Sequence, residues 1–327
     1  MIRENMQKSS RNIVKSKTVL VTGGAGFIGS HLTDRLIKEG CRVVVIDNLS
    51  TGKKENLNSK AKFYKTDICR PEIARIFKKE KPEAVFHYAA HTEARQSLED
   101  PVSDARENIL NSINVLESCR KAGVKRIVFA SSGGEIYGNA REIPTSELYH
   151  PFPLSPYGVA KFSVERYLNS YLKIFKLPFA SLRYGNVYGP RQNPQGEAGV
   201  VAIFTAKMLK NEQPLIHGTG EQTKDYIFID DAIDATVLSF KKGFVGILNV
   251  GSGKETSVLE IFDRIRGLTR SSVKEKHAPF PLIGFPRACL STKKAKKELN
   301  WQPKHSLEDG LKETCGWFGK KISKGKR

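Results

Sequence analysis

Short apolar runs alternate with longer amphipathic segments through the first half of the chain. Thr18-Val19-Leu20-Val21 and Arg42-Val43-Val44-Val45-Ile46 read as buried strands. Further strands are predicted at Ala61-Lys62-Phe63-Tyr64-Lys65-Thr66, Ala84-Val85-Phe86-His87-Tyr88, Arg126-Ile127-Val128-Phe129-Ala130 and Phe179-Ala180-Ser181-Leu182-Arg183. Between them lie helical patterns. His31 to Ile37 is amphipathic, and 102–122 places Ile109, Ile113 and Leu116 on one face before Gly123 as a stop. Such alternation predicts a parallel sheet with helices on both faces. After Gly185 the rhythm breaks into loops around Pro190, Pro194 and Gly196, then a helix at 201–209 and strands at Tyr226–Phe228 and Gly246–Val250. The expected fold is therefore α/β, a Rossmann-type doubly wound parallel sheet with a smaller C-terminal α+β substrate lobe. Its expected parts are a basic disordered extension at 1–16 and a dinucleotide-binding domain at 17–185 with strands returning near 226–250. The lobe takes 186–225 and 251–318, and a basic tail 319–327.

Composition narrows the class. The 327 residues are 39% hydrophobic, enough for a large core, and no apolar run reaches the length of a membrane span. Cys41, Cys69, Cys119, Cys289 and Cys315 show no paired metal-ligand spacing, which points to a reducing cytoplasm and to no metal site. The net charge of +20 is spread along the chain, with clusters at Lys293-Lys294-Ala295-Lys296-Lys297 and in the tail. It lacks interleaved aromatics and any nucleic-acid module, so neither a specific nucleic-acid partner nor a membrane is expected.

The chemistry starts at Thr22-Gly23-Gly24-Ala25-Gly26-Phe27-Ile28-Gly29, between the first strand and first helix. Gly23 suits a tight turn, Gly26 lets the backbone approach a pyrophosphate, and Gly29 lets helix and strand pack closely. Asp47 ends the second strand about twenty residues on, where an acid accepts from ribose hydroxyls and repels a 2′-phosphate; this favours NAD. Further along, Tyr157-Gly158-Val159-Ala160-Lys161 puts a phenol and an amine on one helix face. A fixed ammonium favours the phenolate, which can take a proton from a hydroxyl.

Taken in order, Thr22 to Gly29, Asp47-Asn48-Leu49-Ser50-Thr51-Gly52, Asp67-Ile68, His87-Tyr88-Ala89-Ala90, Ser131 to Gly138, Tyr157 to Lys161 and Arg183 to Arg191 resemble the extended short-chain dehydrogenases/reductases. Within them the chain is most similar to nucleotide-sugar epimerases of the NAD-dependent epimerase/dehydratase family, of the UDP-glucose 4-epimerase kind, over 17–314. The run Gly196-Glu197-Ala198-Gly199-Val200-Val201-Ala202-Ile203-Phe204 points the same way. The resemblance implies that Gly23, Gly26, Phe27, Ile28 and Gly29 hold the pyrophosphate, with Asp47, Asn48, Ser50, Thr51 and Gly52 around the adenosine ribose. It further implies Asp67 and Ile68 beside the adenine, Ala89, Ala90 and Asn108 along the cofactor, and Tyr184 near the nicotinamide. Lys161 would hold the nicotinamide ribose and tune Tyr157 as base. Asn186, Val200, Val201 and Lys224 would bind the nucleotide sugar. The implied reaction is inversion at C4 through a transient 4-keto sugar with NAD regenerated, in a homodimer joined by helices matching 102–122 and 155–175.

Four positions depart from the family pattern. Gly133 stands where a serine normally bonds the sugar oxygen, leaving Ser132 as the candidate hydroxyl. Glu135 stands where 4,6-dehydratases and UDP-glucuronate decarboxylases carry a catalytic glutamate. It reads either as a base for a C5 proton or as a polar pocket residue, and Gly133-Gly134, which supply neither the Thr nor the Asp of dehydratases, favour the second reading. Lys224 replaces an arginine on the diphosphate, keeping charge without the bidentate fork. Leu282 replaces another arginine, with Arg287 nearby as a substitute. A non-catalytic NAD-binding sensor or scaffold is the alternative outside enzymes, and it has no use for Tyr157 and Lys161.

Overall fold

The computed structural model describes residues 17–195, 199–280 and 286–325. Seven parallel strands form the central sheet: β1 (Thr18–Thr22), β2 (Arg42–Asp47), β3 (Lys62–Lys65), β4 (Ala84–His87), β5 (Arg126–Ser132), β6 (Phe179–Tyr184) and β7 (Gly246–Val250). Their order is β3-β2-β1-β4-β5-β6-β7. The order reverses between β1 and β4, and at such a switch point a crevice opens beyond the strand C-termini.

The helices are α1 (Phe27–Lys38), α2 (Glu72–Glu80), α3 (Ala94–Glu99), α4 (Pro101–Ala105), α5 (Asn111–Ala122), α6 (Pro156–Phe175), α7 (Val200–Met208), α8 (Ile229–Lys241), α9 (Val258–Thr269), α10 (Lys293–Leu299) and α11 (Leu307–Gly325). Among the described residues no helix is long and apolar enough to cross a membrane.

Strand alternation divides the interior into two cores. Val19, Val21, Val43, Val45 and Phe86 face Leu32 and Leu36 of α1 and Ile233 and Val237 of α8. Leu20, Val44, Ile46, Val85 and Phe129 face Ile73 and Phe77 of α2, Val115 and Leu116 of α5, and Val164 and Leu168 of α6. Because successive side chains point to opposite faces, strands buried on both sides read as the unbroken apolar runs seen in the sequence.

Three boundaries differ from the sequence expectation. The helix predicted over 102–122 is interrupted by a π-helical turn at Arg106–Leu110. There Asn108 turns back on the loop before α3, its Oδ1 accepting from the His91 amide and its Nδ2 donating to the His91 carbonyl, both at 2.9 Å. Gly123 ends α5 at φ 68°, as a left-handed cap requires.

Of the strands expected to return near 226–250, Gly246–Val250 pairs with β6, whereas Tyr226–Phe228 pairs with Asn186–Tyr188 in a separate ribbon. The chain leaves the sheet at Gly185, where a Cβ would lie 2.7 Å from the Asp225 carbonyl oxygen. The basic tail is also helical as far as Gly325, because α11 buries Leu311, Cys315 and Phe318. Lys321 of that tail donates to Glu55 at 2.6 Å. The extension at 1–16, the run 196–198, Leu282 and the last two residues lie outside the described residues.

Helix α6 is fastened to the sheet by a buried ion pair. Glu165 accepts from Ser131 Oγ of β5 at 2.7 Å and from Ser181 Oγ of β6 at 2.9 Å, and from Arg183 Nε and NH2 of β6 at 3.0 and 2.6 Å. Removing one member of such a pair leaves an uncompensated buried charge. Glu165→Ala is expected to lower unfolding free energy by about 3–5 kcal/mol, read from the midpoint of a urea titration at unchanged slope.

Candidate active site

The nucleotide end is built by the turn from β1 into α1. Gly23 takes φ 72°, and a Cβ there would meet the Ala89 amide nitrogen at 2.6 Å. At Gly29 a Cβ would sit 2.1 Å from the Gly23 carbonyl oxygen, so helix and turn approach as only glycine allows. Gly26 is the N-cap of α1, with no side-chain cap and no acid in the first turn. The amides of Phe27 and Ile28 therefore begin a helix whose positive end is open to an anion.

Asp47 at the end of β2 braces this turn. Its Oδ2 accepts from the Ala25 amide at 2.9 Å and its Oδ1 from the Leu49 amide at 2.8 Å. Gly52 lies against it, since a Cβ there would be 2.9 Å from Asp47 Oδ1. Asn48 donates to Asp67 Oδ2 at 2.7 Å and accepts from the Ser50 amide at 2.9 Å, with Ser50 and Thr51 on the exposed rim. Burial pushes the Asp67 carboxyl up, but hydrogen bonds from the Cys69 amide and Asn48 hold it below its ordinary pKa. Ile68 is buried beside it, its carbonyl accepting from Asn114 at 2.6 Å.

Ala89 and Ala90 follow β4, the Ala89 amide donating to Thr22 Oγ1 at 3.2 Å. A buried histidine lies beneath. Ser112 donates its proton to the Asn108 carbonyl at 2.6 Å and so accepts from His87 Nε2 at 2.9 Å, leaving Nδ1 to accept from Thr22 at 2.7 Å. Burial and the nearby Lys161 push His87 down to about 3, so it is neutral at physiological pH. Nothing local in the sequence marks this network, because its members come from β1, β4 and α5.

At the other end of the crevice α6 presents the catalytic candidates. Ser155 caps the helix, accepting from the Gly158 amide at 3.0 Å and donating to Glu135 Oε2 at 2.8 Å. Tyr157 is half-buried, its amide donating to Ser97 Oγ at 3.3 Å, and the Ser132 hydroxyl favours its phenolate. Burial raises the phenol pKa, and Glu135 and Asp104 raise it further. Lys161 is 4% exposed. Its Nζ donates to the Ala130 carbonyl at 3.0 Å and lies 5.6 Å from the centre of the Tyr157 ring. Burial brings the Lys161 ammonium down to about 8, opposed by Asp104.

Gly133 has a steric explanation. A Cβ there would meet Leu290 Cδ1 at 2.5 Å, so the hydroxyl near Tyr157 comes from Ser132 instead. Asn186 faces this loop, its Oδ1 3.7 Å from where a Gly134 Cβ would be. Lys224 is within electrostatic reach of Glu135, and burial lowers its pKa against that attraction.

Two further expected residues border this region: Tyr184 pairs with Ser132 across β5 and β6, and Arg287 bridges to Thr223 beside Lys224. Val201 is 1% exposed in the core, Val200 packs partly on that core, and Arg287 is 60% exposed. The Arg287 guanidinium forms a two-pronged ion pair with Glu255, through Nε at 2.9 Å and through NH2. Tyr184 turns its hydroxyl to Tyr88 and Thr236, each at 2.6 Å. Asp104, missed by sequence reasoning, sits one helical turn before Asn108 and accepts from its Nδ2 at 2.8 Å. No group of three or more His, Cys, Asp or Glu suited to a metal occurs among the described residues.

Residues 19–251 match the model of the NAD dependent epimerase/dehydratase family. The chain belongs to that family. A putative UDP-glucose 4-epimerase of Methanocaldococcus jannaschii is 43% identical over 305 residues, 92% of this chain and 98% of the relative. The solved UDP-glucose 4-epimerase of Thermotoga maritima with UDP-glucose superposes with a TM-score of 0.91 at 45% identity, covering 93% of this chain and 99% of that one. The Thermus thermophilus UDP-glucose 4-epimerase, solved with NAD, gives 0.89 at 39% identity, covering 92% and 98%.

NAD is the family cofactor, and the residues here fit it: an uncapped helix start, glycines at the close approaches and an acid after β2. Gly29→Ala should therefore release it. The purified variant is expected to carry less than one-tenth of the NAD held by the parent chain, measured by absorbance after protein removal.

Proposed function

We propose that this protein is an NAD-dependent nucleotide-sugar 4-epimerase of the UDP-glucose/UDP-galactose type. The observation that carries the reading is a glycine-built helix start with an acid at the next strand end, together with a phenol whose ring lies 5.6 Å from a buried ammonium. Its relatives named for this reaction support it.

In this reading Tyr157 takes the proton of the C4 hydroxyl as the C4 hydrogen is removed, leaving a 4-keto sugar. When bound, NAD would supply the hydride acceptor and donor, with no net change in its oxidation state. Lys161 lowers the cost of the phenolate by its charge, and its remaining N–H donors would hold ribose hydroxyls. Ser132 orients the phenol toward the sugar oxygen. Asn186 and Lys224 line the sugar-nucleotide side, Lys224 as a point charge for the diphosphate. The keto sugar turns in the pocket, and Tyr157 returns its proton as hydrogen is delivered to the opposite face.

Glu135 supports a second reading as a 4,6-dehydratase or decarboxylase, because its carboxylate acts on both Tyr157 and Lys224. Its Oε2 is engaged by Ser155, and the two glycines before it bring no further proton donor. These features favour a polar pocket residue. We also propose a homodimer through the helical stretch 102–122 and α6, where Val102, Leu110, Val159 and Ile174 expose apolar surface.

Incubation with UDP-glucose, UDP-galactose, their N-acetyl forms, UDP-glucuronate and dTDP-glucose, followed by NMR, tests the assignment. A C4 epimer without net NADH is expected. Tyr157→Phe should reduce its rate about 10²–10⁴-fold while NAD content is kept. A 4-keto-6-deoxy or decarboxylated product that vanishes in Glu135→Gln would replace this reading by the second.

A further inference from the structure

The buried ammonium of Lys161 has a counter-charge outside the motif that identifies the site. Asp104, on α4, is 3% exposed. Its Oδ1 accepts from Asn108 Nδ2 at 2.8 Å, and its Oδ2 is buried without a hydrogen-bond partner among the described residues. An isolated buried carboxylate is costly, and a cation within reach offsets that cost. Lys161 is such a cation, and the Ala130 carbonyl to which it donates is a neutral acceptor that leaves its charge uncompensated. The packing of α4 against α6 brings the two charges together.

We propose that Asp104 is a positioning residue of the reaction, a fixed counter-charge on α4 that keeps Lys161 cationic and so sets the alkaline limit of activity. The other groups facing the pair do not supply this charge in the same place. His87 on β4 is neutral, and Ser132 and Ser97 are uncharged. His91 faces Asp104 from the loop after β4, and Glu135 faces Tyr157 and Lys224. Asp104 acts on both members of the pair, raising the proton affinity of Lys161 and of Tyr157. Burial also raises the affinity of Asp104 for its own proton, against Asn108, His91 and Lys161. The counter-charge is thus lost as pH falls.

Without the carboxylate, Lys161 loses its proton at lower pH, and the window in which it supports a phenolate closes earlier. Asp104→Asn keeps the shape and the acceptor for Asn108 while removing the charge.

The inference rests on Tyr157 and Lys161 being the proton-handling pair, so its primary test uses full-length protein without substrate. NMR of ¹³Cε-labelled lysine, with the Lys161 signal assigned by its absence in Lys161→Met, reads the ionisation directly. The parent chain should titrate near 8, and Asp104→Asn about one pH unit lower, an approximately threefold loss of the cationic form at pH 7.5. The alkaline limb of kcat/KM should move by the same amount, and Asp104→Glu should move it back. If Asp104→Asn is unstable, Asp104→Ser gives the same readout. An unchanged Lys161 titration, or activity reduced equally at every pH, would overturn the proposal. A shifted titration in a protein inactive on every nucleotide sugar would leave it standing and remove the epimerase assignment.

Discussion

A lysine ammonium taken almost wholly out of water is the constraint around which this molecule is arranged. Desolvation disfavours the charged form, and the surroundings compensate with the Ala130 carbonyl, the faces of Phe129 and Tyr157, and the Asp104 carboxylate. These groups come from three different elements, so the charge is held only when β5, α4 and α6 are all in place. Glu165, one turn beyond Lys161, ties α6 to β5 and β6 through Arg183 and two serines. The same helix therefore carries the candidate phenol at its start and its structural anchor in the middle.

The nucleotide end depends on backbone proximity rather than charge. Gly23 and Gly29 let the β1 turn touch the end of β4 and the start of α1, and Asp47 clasps the turn through the Ala25 amide. Both ends open at the C-terminal edge of one parallel sheet. Its strand order puts the glycine turn after β1 and Ser132 at the end of β5 on the same edge, with β4 between them. The buried hydroxyls and imidazole of Thr22, His87 and Ser112 form a hydrogen-bonded floor beneath the ends of β1 and β4. Because His87 is neutral, this floor adds no second positive charge beside Lys161.

Much of this was legible in the sequence because the relevant signals are local. Three glycines between a strand and a helix, an acid at the next strand end, and a phenol and amine at helical spacing each occupy a few consecutive residues. What escaped was set by long-range packing. Leu290 fills the place where a Gly133 side chain would go, and no pattern near Gly133 reveals it. Arg287 reads as a free cation until Glu255 is folded beside it. The path of Tyr226–Phe228 away from the sheet is set by its pairing with the distant segment Asn186–Tyr188. Asp104 was closer to view, since its i,i+4 spacing to Asn108 is a helical contact, but only the folded structure shows that its carboxylate is shut away from water.

In the proposed cycle one hydrogen leaves C4 and returns to the same carbon, with Tyr157 handling only the hydroxyl proton. Turnover of UDP-glucose deuterated at C4 in ordinary water, beside unlabelled UDP-glucose in deuterium oxide, follows that hydrogen. The expected product is UDP-galactose that keeps its C4 deuterium in the first sample and acquires no carbon-bound deuterium in the second. Loss of the C4 label to solvent, or deuterium entering at C5, would refute the cycle, and entry at C5 would assign the proton chemistry to Glu135.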